Sequence, residues 1–496
     1  MTSDGGTASR GPWGDIRRVL SPAAAAAISS IKLPPPGRVA ATNQAFAEPL
    51  VATTAVFVRA DRGGITMADD IRDHDGFWYR GKVTRRSVLG YGASAGALGA
   101  TMLVPAPWQS AFGQAKPFKI GTLQPLSGAG ATGGKTALVG LQMAVDRINA
   151  NKGINGRPIE IVVADDESKP DVGRRKTEKM LEEDKIDAHV GGFLSNICLA
   201  CMPVFEEHKV LNMISVCLDT TLTTTKCNKY SFRPYDYAPS QAVAFAPYLV
   251  SKMGKKWHII FADYSWGQST RDAYVQEIKK AGGDVVGTTG IPLGTADMTP
   301  FLSKINGTFD GIFGIFFGKD GVTIGNQAFD LGLTKRYKWA GDGAIPESTN
   351  LPALGKKIEG FVGINRYIPV LDAPLNTPAH KKFFEESKKR LKAIDPSGPD
   401  PDRYVQSNYE AMNALKLGME KSKFNSRADT DKLIAALEGL EMKEGDDFPQ
   451  GDKTLRAADH QAFLRQFIFE VKNNEFKILQ VVEKDKTVFP PACKFA

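Results

Sequence analysis

The chain has 496 residues, of which 42% are hydrophobic, 9% aromatic and 24% charged. This composition excludes a wholly disordered chain and a protein with many membrane spans, and the length allows two to four domains. The net charge of +8 comes from acidic and basic residues mixed along the sequence, so it gives no reason to expect a nucleic-acid partner. Five cysteines are too few for a disulfide-built scaffold, and six scattered histidines argue against a metal site. We therefore expect no metal and no cofactor.

The first 115 residues show no regular hydrophobic period, and they end in the three parts of an export signal. Arg85 and Arg86 form a basic patch, uncharged residues rich in glycine and alanine follow, and small residues lead to a cleavage site near Ala115. The paired arginines and the weakly apolar core resemble a twin-arginine signal, although Val88 stands where that motif prefers phenylalanine. The alternative is an uncleaved anchor, which needs ~20 strongly apolar residues. The glycine-rich core is too weakly apolar for that, so we expect export and cleavage.

Export signals stand at N-termini, but this one begins well inside the chain. Met67 lies just ahead of it, so we expect the biological chain to start at Met67. Residues 1–66 would then be a non-native or disordered extension, translated from upstream DNA. Residues 67–115 would form the export signal, and the mature protein would begin at Lys116.

Short apolar runs and amphipathic runs alternate from Lys116 onwards. Leu138, Leu141 and Val145, for example, recur at helical spacing on one face. This alternation predicts an α/β fold with parallel sheets covered by helices, and two such runs, split near 233–240, predict two lobes. The expected strands are 118–123, 159–164, 188–192, 211–216, 257–262, 284–289, 311–317, 337–340, 466–471 and 476–482. The expected helices are 136–151, 171–184, 196–208, 267–281, 298–306, 321–332, 378–392, 403–421 and 428–439.

Two motifs resemble enzyme chemistry. Residues 129–136 nearly match a P-loop, with Ala129 in place of the first glycine, and indicate either an NTPase or a glycine-rich turn between a strand and a helix. We favour the turn, because an exported protein meets little ATP or GTP. Cys198 and Cys201 form a lone C-x-x-C within an apolar helical run, which favours packing over redox or zinc chemistry. No serine, histidine and acid grouping stands out, so we expect no enzyme.

Several motifs occur in an order that is typical of one family. Residues 120–128 read I-G-T-L-Q-P-L-S-G, residues 144–150 read A-V-D-R-I-N-A, and residues 153–157 read G-I-N-G-R. Further matches are Asp165-Asp166 with Pro170, and the segments 222–223, 230–233, 263–267, 292–295 and 456–461. Together these motifs resemble type I periplasmic binding proteins, the leucine/isoleucine/valine-type solute receptors of ABC importers. The resemblance covers the whole of 116–496.

The resemblance implies two Rossmann-like lobes with parallel sheets, joined by three hinge crossings. A solute would bind in the cleft between the lobes and draw them closed. The crossings would be 233–237, 364–370 and 455–465, lobe one would be 116–235 plus 366–455, and lobe two would be 236–365 plus 456–496.

Solute contacts are expected outside the C-terminal ends of the strands, where helix N-termini favour a carboxylate. The resemblance implies that Ser195 binds a ligand carboxylate, with a helix-capping serine as the equal alternative. It places an acid, Asp342, at the ligand ammonium of amino-acid receptors, with a turn-forming aspartate as the alternative. Asp219 stands near the place of a threonine, which departs from the amino-acid pattern. The expected ligand-binding residues are Ser195, Asn196, Cys217, Leu218, Asp219, Trp266, Phe317, Gly318 and Asp342.

The function implied is that of a periplasmic receptor without catalysis, which delivers a small organic solute to the membrane permease subunits of an ABC importer. We expect a monomer. The solute class stays open between an aliphatic amino acid, a short amide, and an aromatic or other carboxylic acid. Trp266 and Phe317 would suit an aromatic ring, whereas Asp342 would favour a cationic or amide-bearing ligand. A sensory protein that signals to a membrane partner is the alternative, because one fold serves both functions.

The cysteines allow one further prediction. Cys227 and Cys493 lie outside the expected core helices, one in a loop and one in the C-terminal tail. We expect them to form a disulfide that holds the tail on lobe one. Cys198, Cys201 and Cys217 would remain, and at least one of these would be an unpaired thiol.

Overall fold

The computed structural model describes residues 58–61, 64–67 and 116–495. The strands Val58–Asp61 and Gly64–Met67 pair antiparallel within a unit of their own, Met1–Ala97. The sequence pattern predicts no strands in this region. The remaining description concerns the second unit, which contains both large sheets.

The expected export signal lies outside the described residues, together with Arg85, Arg86 and the cleavage position near Ala115. In the part of the chain that the structure describes, every helix is too short or too polar to cross a membrane.

The first large sheet is fully parallel. Its strands are β1 Phe118–Gln124, β2 Ile159–Asp165, β3 Ala188–Gly191, β4 Asn212–Ile214 and β5 Ser231–Phe232. The first helices that alternate with these strands are α1 Ala131–Ala150, α2 Pro170–Glu182 and α3 Ser195–Glu207. The strands lie in the order β2-β1-β3-β4-β5. Strands such as β3 are buried along their whole length, as expected for a parallel sheet covered by helices.

The chain then crosses to a second sheet through α4 Ala238–Tyr248. The second sheet contains β6 Lys256–Ala262, β7 Asp284–Ile291, β8 Gly311–Ile315, β9 Lys338–Asp342 and β10 Val362–Asn365, and its other helices are α5 Ser265–Lys280, α6 Thr299–Leu302, α7 Gly318–Asp330, α8 Leu333–Arg336 and α9 Leu351–Leu354. These five strands are parallel and lie in the order β7-β6-β8-β9-β10.

A second crossing returns the chain to the first sheet, and a third takes it back. The late elements are α10 Pro378–Ile394, α11 Arg403–Lys421, α12 Thr430–Leu437, β11 Glu441–Met442, β12 Lys453–Leu455, β13 Ala462–Phe463, β14 Gln466–Lys472 and β15 Glu475–Val482. Helix α11 packs against α1, and a Cβ atom on Gly140 would lie only 2.0 Å from Val405 O, so glycine permits this close approach. Strands β14 and β15 extend the second sheet antiparallel.

Each sheet with its packed helices forms one lobe, and besides the cluster of buried residues within each lobe, a further cluster that includes Phe205 and Phe261 extends across both. The first-lobe core includes Phe118, Val145 and Val405, so residues from early and late parts of the chain pack together. The second-lobe core includes Ile260 and Phe469 in the same way. The predicted α/β architecture of two lobes joined by three crossings is therefore confirmed.

Several elements differ from the prediction. The helix expected at 298–306 is the single turn α6. Helix α4 and strand β10 are not predicted, and neither are the short elements β5, α8, α9, β11, β12 and β13. Helix α4 is buried on nearly all sides and contains Pro239 and Pro247, so its sequence carries no amphipathic period. Strand β10 has four residues, which is too short to stand out as a run.

The three crossings meet at one side chain. Asp236, on the first crossing, accepts hydrogen bonds at its Oδ2 from Gln241 Nε2 at 2.7 Å and from Gln466 Nε2 at 3.0 Å. Its Oδ1 accepts a hydrogen bond from Arg366, on the second crossing. Since Gln466 begins the strand after the third crossing, one carboxylate links all three connections between the lobes.

Candidate functional site

A small cavity lies between the two lobes, at the carboxyl ends of the parallel strands. Phe193 and Leu218 follow β3 and β4 of the first lobe, and Tyr264 and Phe317 follow β6 and β8 of the second. In this arrangement of the lobes the cavity measures about 20 Å³, close to the space of one water molecule. Its wall consists of Phe193, Ser195, Val216, Leu218, Tyr264, Trp266, Phe317, Arg403 and Tyr404.

Aromatic rings from both lobes form most of the wall. On the first lobe, the ring centroids of Phe193 and Tyr404 lie 4.7 Å apart. On the second lobe, the ring of Phe317 lies 5.8 Å from that of Trp266 and 6.3 Å from that of Tyr264. The two groups meet where the rings of Phe193 and Phe317 lie 5.9 Å apart. These separations are typical of favourable aromatic contacts, so the wall offers ring faces and edges to a flat apolar group.

Arg403 is the charged residue of this wall. It begins α11, directly after Asp402, whose carboxylate caps the helix by accepting hydrogen bonds from two backbone N–H groups at 2.9 Å. Arg403 Nη2 donates a hydrogen bond to Asp342 Oδ1 at 2.6 Å, and Nε lies 3.1 Å from Glu347 Oε2 without forming a hydrogen bond. Because Asp342 and Glu347 belong to the second lobe, this guanidinium joins the two sides of the cleft.

The Arg403 side chain is 2% exposed, and its Nη1 and Nε atoms have no hydrogen-bond partner among the described residues. A buried donor without a partner costs ~1–3 kcal/mol, and more on a charged group. Trp266 Nε1, also in the wall, has no partner among the described residues either. Arg403 Nη1 and Trp266 Nε1 are therefore buried donors without a partner among the described residues, whereas Arg403 Nε is ion-paired with Glu347.

Two acids beside Arg403 titrate near neutral pH. Burial raises the pKa of Glu347 to about 7, although the charge of Arg403 acts in the opposite direction. Burial also raises the pKa of Asp402 to about 6. Burial thus favours the protonated form of Glu347, and Arg403 keeps Asp342 as its hydrogen-bonded partner.

Ser195 lies at the N-terminus of α3 and lines the cavity. Its buried hydroxyl accepts a hydrogen bond from Asp219 N at 3.2 Å, and no side chain caps α3 at Leu194. The alternative prediction, that Ser195 caps its own helix, is therefore wrong, because the helix begins at Ser195 itself. The first N–H groups of a helix favour an anion, so this end of the cavity has the same electrostatic preference as Arg403.

A disulfide joins Cys198 of α3 to Cys217, which follows β4. The Cys217 sulfur is therefore bonded, and Cys217 O accepts hydrogen bonds from Arg233 and Tyr235. Cys217 does not line the cavity, although Val216 and Leu218 on either side do. The disulfide instead ties two parts of the first-lobe wall together.

Four of the nine predicted ligand-binding residues line the cavity, namely Ser195, Leu218, Trp266 and Phe317. The structure does not bring the other five to the wall: Asn196, Cys217, Asp219, Gly318 and Asp342. Asp219 accepts hydrogen bonds from Thr221 N at 2.7 Å and from its hydroxyl, which shapes the turn after β4. Asp342 accepts hydrogen bonds from Arg403 Nη2 and, at 2.8 Å, from Ala344 N. Both acids are therefore hydrogen-bonded to partners within the protein.

The sequence prediction missed Phe193, Val216, Tyr264, Arg403 and Tyr404. Tyr264 is two residues from Trp266 and in the same predicted turn, so proximity could have found it. Arg403 and Tyr404 begin a correctly predicted helix, after an aspartate suited to an N-cap. No local signal connects that helix start with the turns of the other sheet, because the fold alone brings them together.

The P-loop-like segment is a packed turn. A Cβ atom on Gly134 would lie 2.0 Å from Pro125 O, and one on Gly133 would lie 2.3 Å from the ring of Phe193. Asp165 accepts hydrogen bonds from Ser127, and these hold the preceding loop in place. The glycines thus allow close packing between the loop and its neighbours, as the turn interpretation predicts.

The described cysteines form two disulfides. Besides the pair at α3, Cys227 and Cys493 are joined, which links the C-terminal tail to the first lobe. Cys201 is unpaired and buried, and burial raises its pKa to about 12. The C-x-x-C motif therefore does not form a disulfide within itself.

A wider groove of about 900 Å³ lies on the surface of the first lobe, away from the cleft. Several of its charged side chains pair with one another, as Arg147 does with Asp446 and Arg390 with Asp146. The cavity between the lobes, with its unpartnered buried donors, is the stronger candidate for a binding site.

Comparison with known proteins agrees with this architecture. A family model described as periplasmic binding protein matches residues 117–475. A Leu/Ile/Val-binding protein homolog 4 from Brucella melitensis is 25% identical over 383 residues, covering 73% of this chain and 86% of that protein.

Two solved structures share the fold. An ABC transporter substrate-binding protein from Sphaerobacter thermophilus has a TM-score of 0.66 and 22% identity, covering 74% of this chain and 98% of that one. A solute binding protein of an ABC transporter from Rhodopseudomonas palustris HaA2, in complex with p-hydroxybenzoic acid, has a TM-score of 0.67 and 21% identity, with coverage of 74% and 98%. Since the family model matches most of the chain, this protein belongs to the periplasmic binding protein family.

Proposed function

We propose that this protein is the extracytoplasmic solute receptor of an ABC importer, which binds a small organic solute between its lobes and delivers it to a membrane permease. The observation that carries the proposal is the cavity at the strand ends, which both lobes line and which contains the buried, unpartnered donors of Arg403. Relatives named as amino-acid-binding proteins and a neighbour that holds p-hydroxybenzoic acid support a small organic ligand.

Binding would proceed by hinge motion. The cavity of about 20 Å³ is too small for an organic solute, so the lobes must separate for entry and close around the ligand. The contacts that would part and re-form are those of Arg403 with Asp342 and of Phe193 with Phe317. A permease could then distinguish the two arrangements.

The residues that we propose to touch the solute are Ser195, Leu218, Trp266 and Phe317, together with Arg403. Asn196, Cys217, Asp219, Gly318 and Asp342 would shape the site from behind the wall. We propose that lobe one comprises residues 116–235 plus 366–455 and that lobe two comprises residues 236–365 plus 456–496.

A thermal-shift screen of the purified protein against amino acids, short amides and carboxylic acids tests the proposal. Ligand binding stabilises the folded state by ~2.7 kcal/mol at a hundredfold excess over Kd, which raises the melting temperature. A variant that combines Trp266→Ala and Phe317→Ala tests the site itself. Because both side chains line the cavity, the variant should show a smaller shift in melting temperature with any true ligand. Absence of a shift with every solute class would reject the receptor function.

Delivery to the periplasm would use the twin-arginine route, with cleavage near Ala115. Replacing Arg85 and Arg86 by lysine should leave the precursor in the cytoplasm, and N-terminal sequencing of precursor and mature protein would locate the start and the cleavage site. A peptide from residues 1–66 found in cells would contradict the start at Met67. We propose a monomer, which light scattering of the purified protein would check.

A further inference from the structure

The charge on the cavity wall restricts the class of solute. Arg403 is the one charged residue among the described residues that line the cavity, and no acid lines it. A zwitterionic amino acid needs a negative group beside its ammonium, because burying an unpaired charge is costly. Asp342, the acid that the family resemblance assigns to an ammonium, is instead bonded to Arg403 at 2.6 Å.

Arg403 thus makes the contact with Asp342 that a ligand ammonium group would otherwise make. Arg403 Nε faces Glu347 at 3.1 Å, so Nη1 is the donor that is left for the solute. Nη1 is buried and has no hydrogen-bond partner among the described residues, and a charged N–H donor forms a strong hydrogen bond with a carboxylate. The N-terminus of α3 at Ser195 adds a second preference for a negative group.

The rest of the wall suits a ring. Phe193, Tyr264, Trp266, Phe317 and Tyr404 surround the cavity with aromatic faces and edges. The Phe193–Phe317 contact closes it between the lobes at 5.9 Å, where a flat ring could insert when the lobes separate.

We infer that the solute is an aromatic monocarboxylate without an ammonium group, whose carboxylate accepts hydrogen bonds from Arg403 and whose ring lies between the aromatic side chains of the two lobes. This inference rests on the proposed receptor function and assigns Arg403 as its specificity-determining residue.

Two matched ligand pairs test the inference on the unmodified protein by isothermal titration calorimetry. Benzoate and benzamide differ in charge at nearly equal shape, and 3-phenylpropanoate and L-phenylalanine differ by the ammonium group. We expect benzoate to bind at least ~10-fold more tightly than benzamide, because a hydrogen bond to a charged acceptor is stronger than one to a neutral acceptor. We expect 3-phenylpropanoate to bind at least ~10-fold more tightly than L-phenylalanine, because the ammonium group would be buried without an anionic partner. L-Leucine serves as the aliphatic amino-acid comparison.

Variants then assign the residue. Arg403→Gln should weaken benzoate binding by about 10- to 100-fold, the loss expected for one charge-assisted hydrogen bond, and should remove the preference for benzoate over benzamide. Arg403→Lys should restore part of that preference. Arg427→Gln is the matched control, because Arg427 bonds Ile186 O and Leu181 O on the first lobe and does not line the cavity.

The outcomes separate the two proposals. If L-leucine or L-phenylalanine binds as tightly as the carboxylates, the receptor function stands and the aromatic-acid inference is wrong. Equal binding of benzoate by Arg403→Gln and the unmodified protein would overturn the role of Arg403. If no solute in the broad screen binds, both proposals fail. Should Arg403→Gln not fold, the ligand pairs still decide the class.

Discussion

Asp236 Oδ1 lies 3.0 Å from Arg366 Nη1, and both side chains are excluded from solvent although each belongs to a different crossing between the lobes. Removing one partner of a buried ion pair typically destabilises a protein by ~3–5 kcal/mol, because the other charge is left uncompensated. We therefore expect Asp236→Asn to lower the free energy of unfolding by about that amount. Denaturant titration monitored by circular dichroism measures the change.

The control for this hinge prediction is Asp171→Asn, which breaks an exposed pair with Arg175 at a similar distance of 2.9 Å. Solvent screens exposed ion pairs, so the stability should hardly change. Equal effects of the two substitutions would contradict a special role of the buried pair.

The pairing of the cysteines can be determined by peptide mapping. Mass mapping of non-reduced peptides should recover Cys198 linked to Cys217 and Cys227 linked to Cys493. Cys201 should react with an alkylating agent only after unfolding, because it is buried and its pKa is raised. Both Cys227 and Cys493 found as free thiols would reject the tail linkage.

Loss of the tail linkage should also cost stability. Cys493→Ser releases the C-terminal tail from a residue 266 positions earlier in the chain. Removing a disulfide that closes a long loop typically costs ~2–4 kcal/mol, which thermal unfolding would detect as a lower melting temperature. The same measurement on Cys227→Ser should give an equal loss, and a double substitution should add nothing further.

Asp166 makes stability depend on pH. Burial raises its pKa from the usual 3.8 to about 7, so the folded protein keeps a proton that the unfolded chain releases. The resulting stability is fully present below about pH 4 and is lost as pH rises through 7. Asp166→Asn stays neutral throughout, so it should be more stable than the unmodified protein at pH 8 by about 2–4 kcal/mol, since one pKa unit is ~1.4 kcal/mol. The difference should vanish near pH 4.

The neighbouring Asp165 provides a contrasting control. Burial alone would raise its pKa, but hydrogen bonds from Glu167 N and from the Ser127 hydroxyl outweigh that effect and lower it. The charged form is therefore favoured on folding, and its contribution is present above the ordinary pKa and lost at lower pH. Asp165→Asn should destabilise at pH 7 and not at acidic pH, the reverse of Asp166→Asn.

Solute affinity should also respond to pH. Asp342, Glu347, Asp402, Arg366 and Arg403 all face the same buried region, and among them burial brings the pKa of Glu347 to about 7. Protonation of Glu347 leaves Arg403 with one anionic partner and makes its free donors more available to a carboxylate. Benzoate should therefore bind up to about tenfold more tightly at pH 6 than at pH 8, through linkage to one proton.

Glu347→Gln supplies the control for this pH effect, because glutamine cannot titrate. The affinity of this variant should change much less between pH 7 and 8 than that of the unmodified protein, and any change that remains near pH 6 would come from Asp402, whose pKa burial raises to about 6. A benzoate affinity that rises with pH in the unmodified protein would contradict the assignment.

The periodicity of the sequence located most strands of the two large sheets but not the site. The helix predicted at 378–392 has one buried face, formed by His380, Phe383, Ser387 and Leu391, and its bounds match α10 to within two residues. Helix α4 shows no such pattern because it is buried on nearly all sides, and it was missed. Local rules describe elements with one buried face, and they fail where tertiary packing surrounds an element.

The site residues that could be predicted are those that follow the end of a strand. Ser195, Trp266 and Phe317 lie in strand-to-helix turns and could be located from the topology. Arg403 could not, because its partners Asp342 and Glu347 are more than fifty positions away and its role depends on the crossing of the chain between lobes. The resemblance implies that Asp342 binds a ligand, but in the fold its carboxylate accepts a hydrogen bond from Arg403 of the same chain.

The disulfide between Cys198 and Cys217 has a consequence for the order of events in binding. It joins the start of α3 to the segment that carries Val216 and Leu218, so this half of the wall is held within one lobe by a covalent bond. With the proposed hinge motion, the half contributed by Tyr264, Trp266 and Phe317 would move away when the lobes separate. A solute entering the open cleft would then first meet the wall on the first lobe, and the second lobe would complete the site on closure.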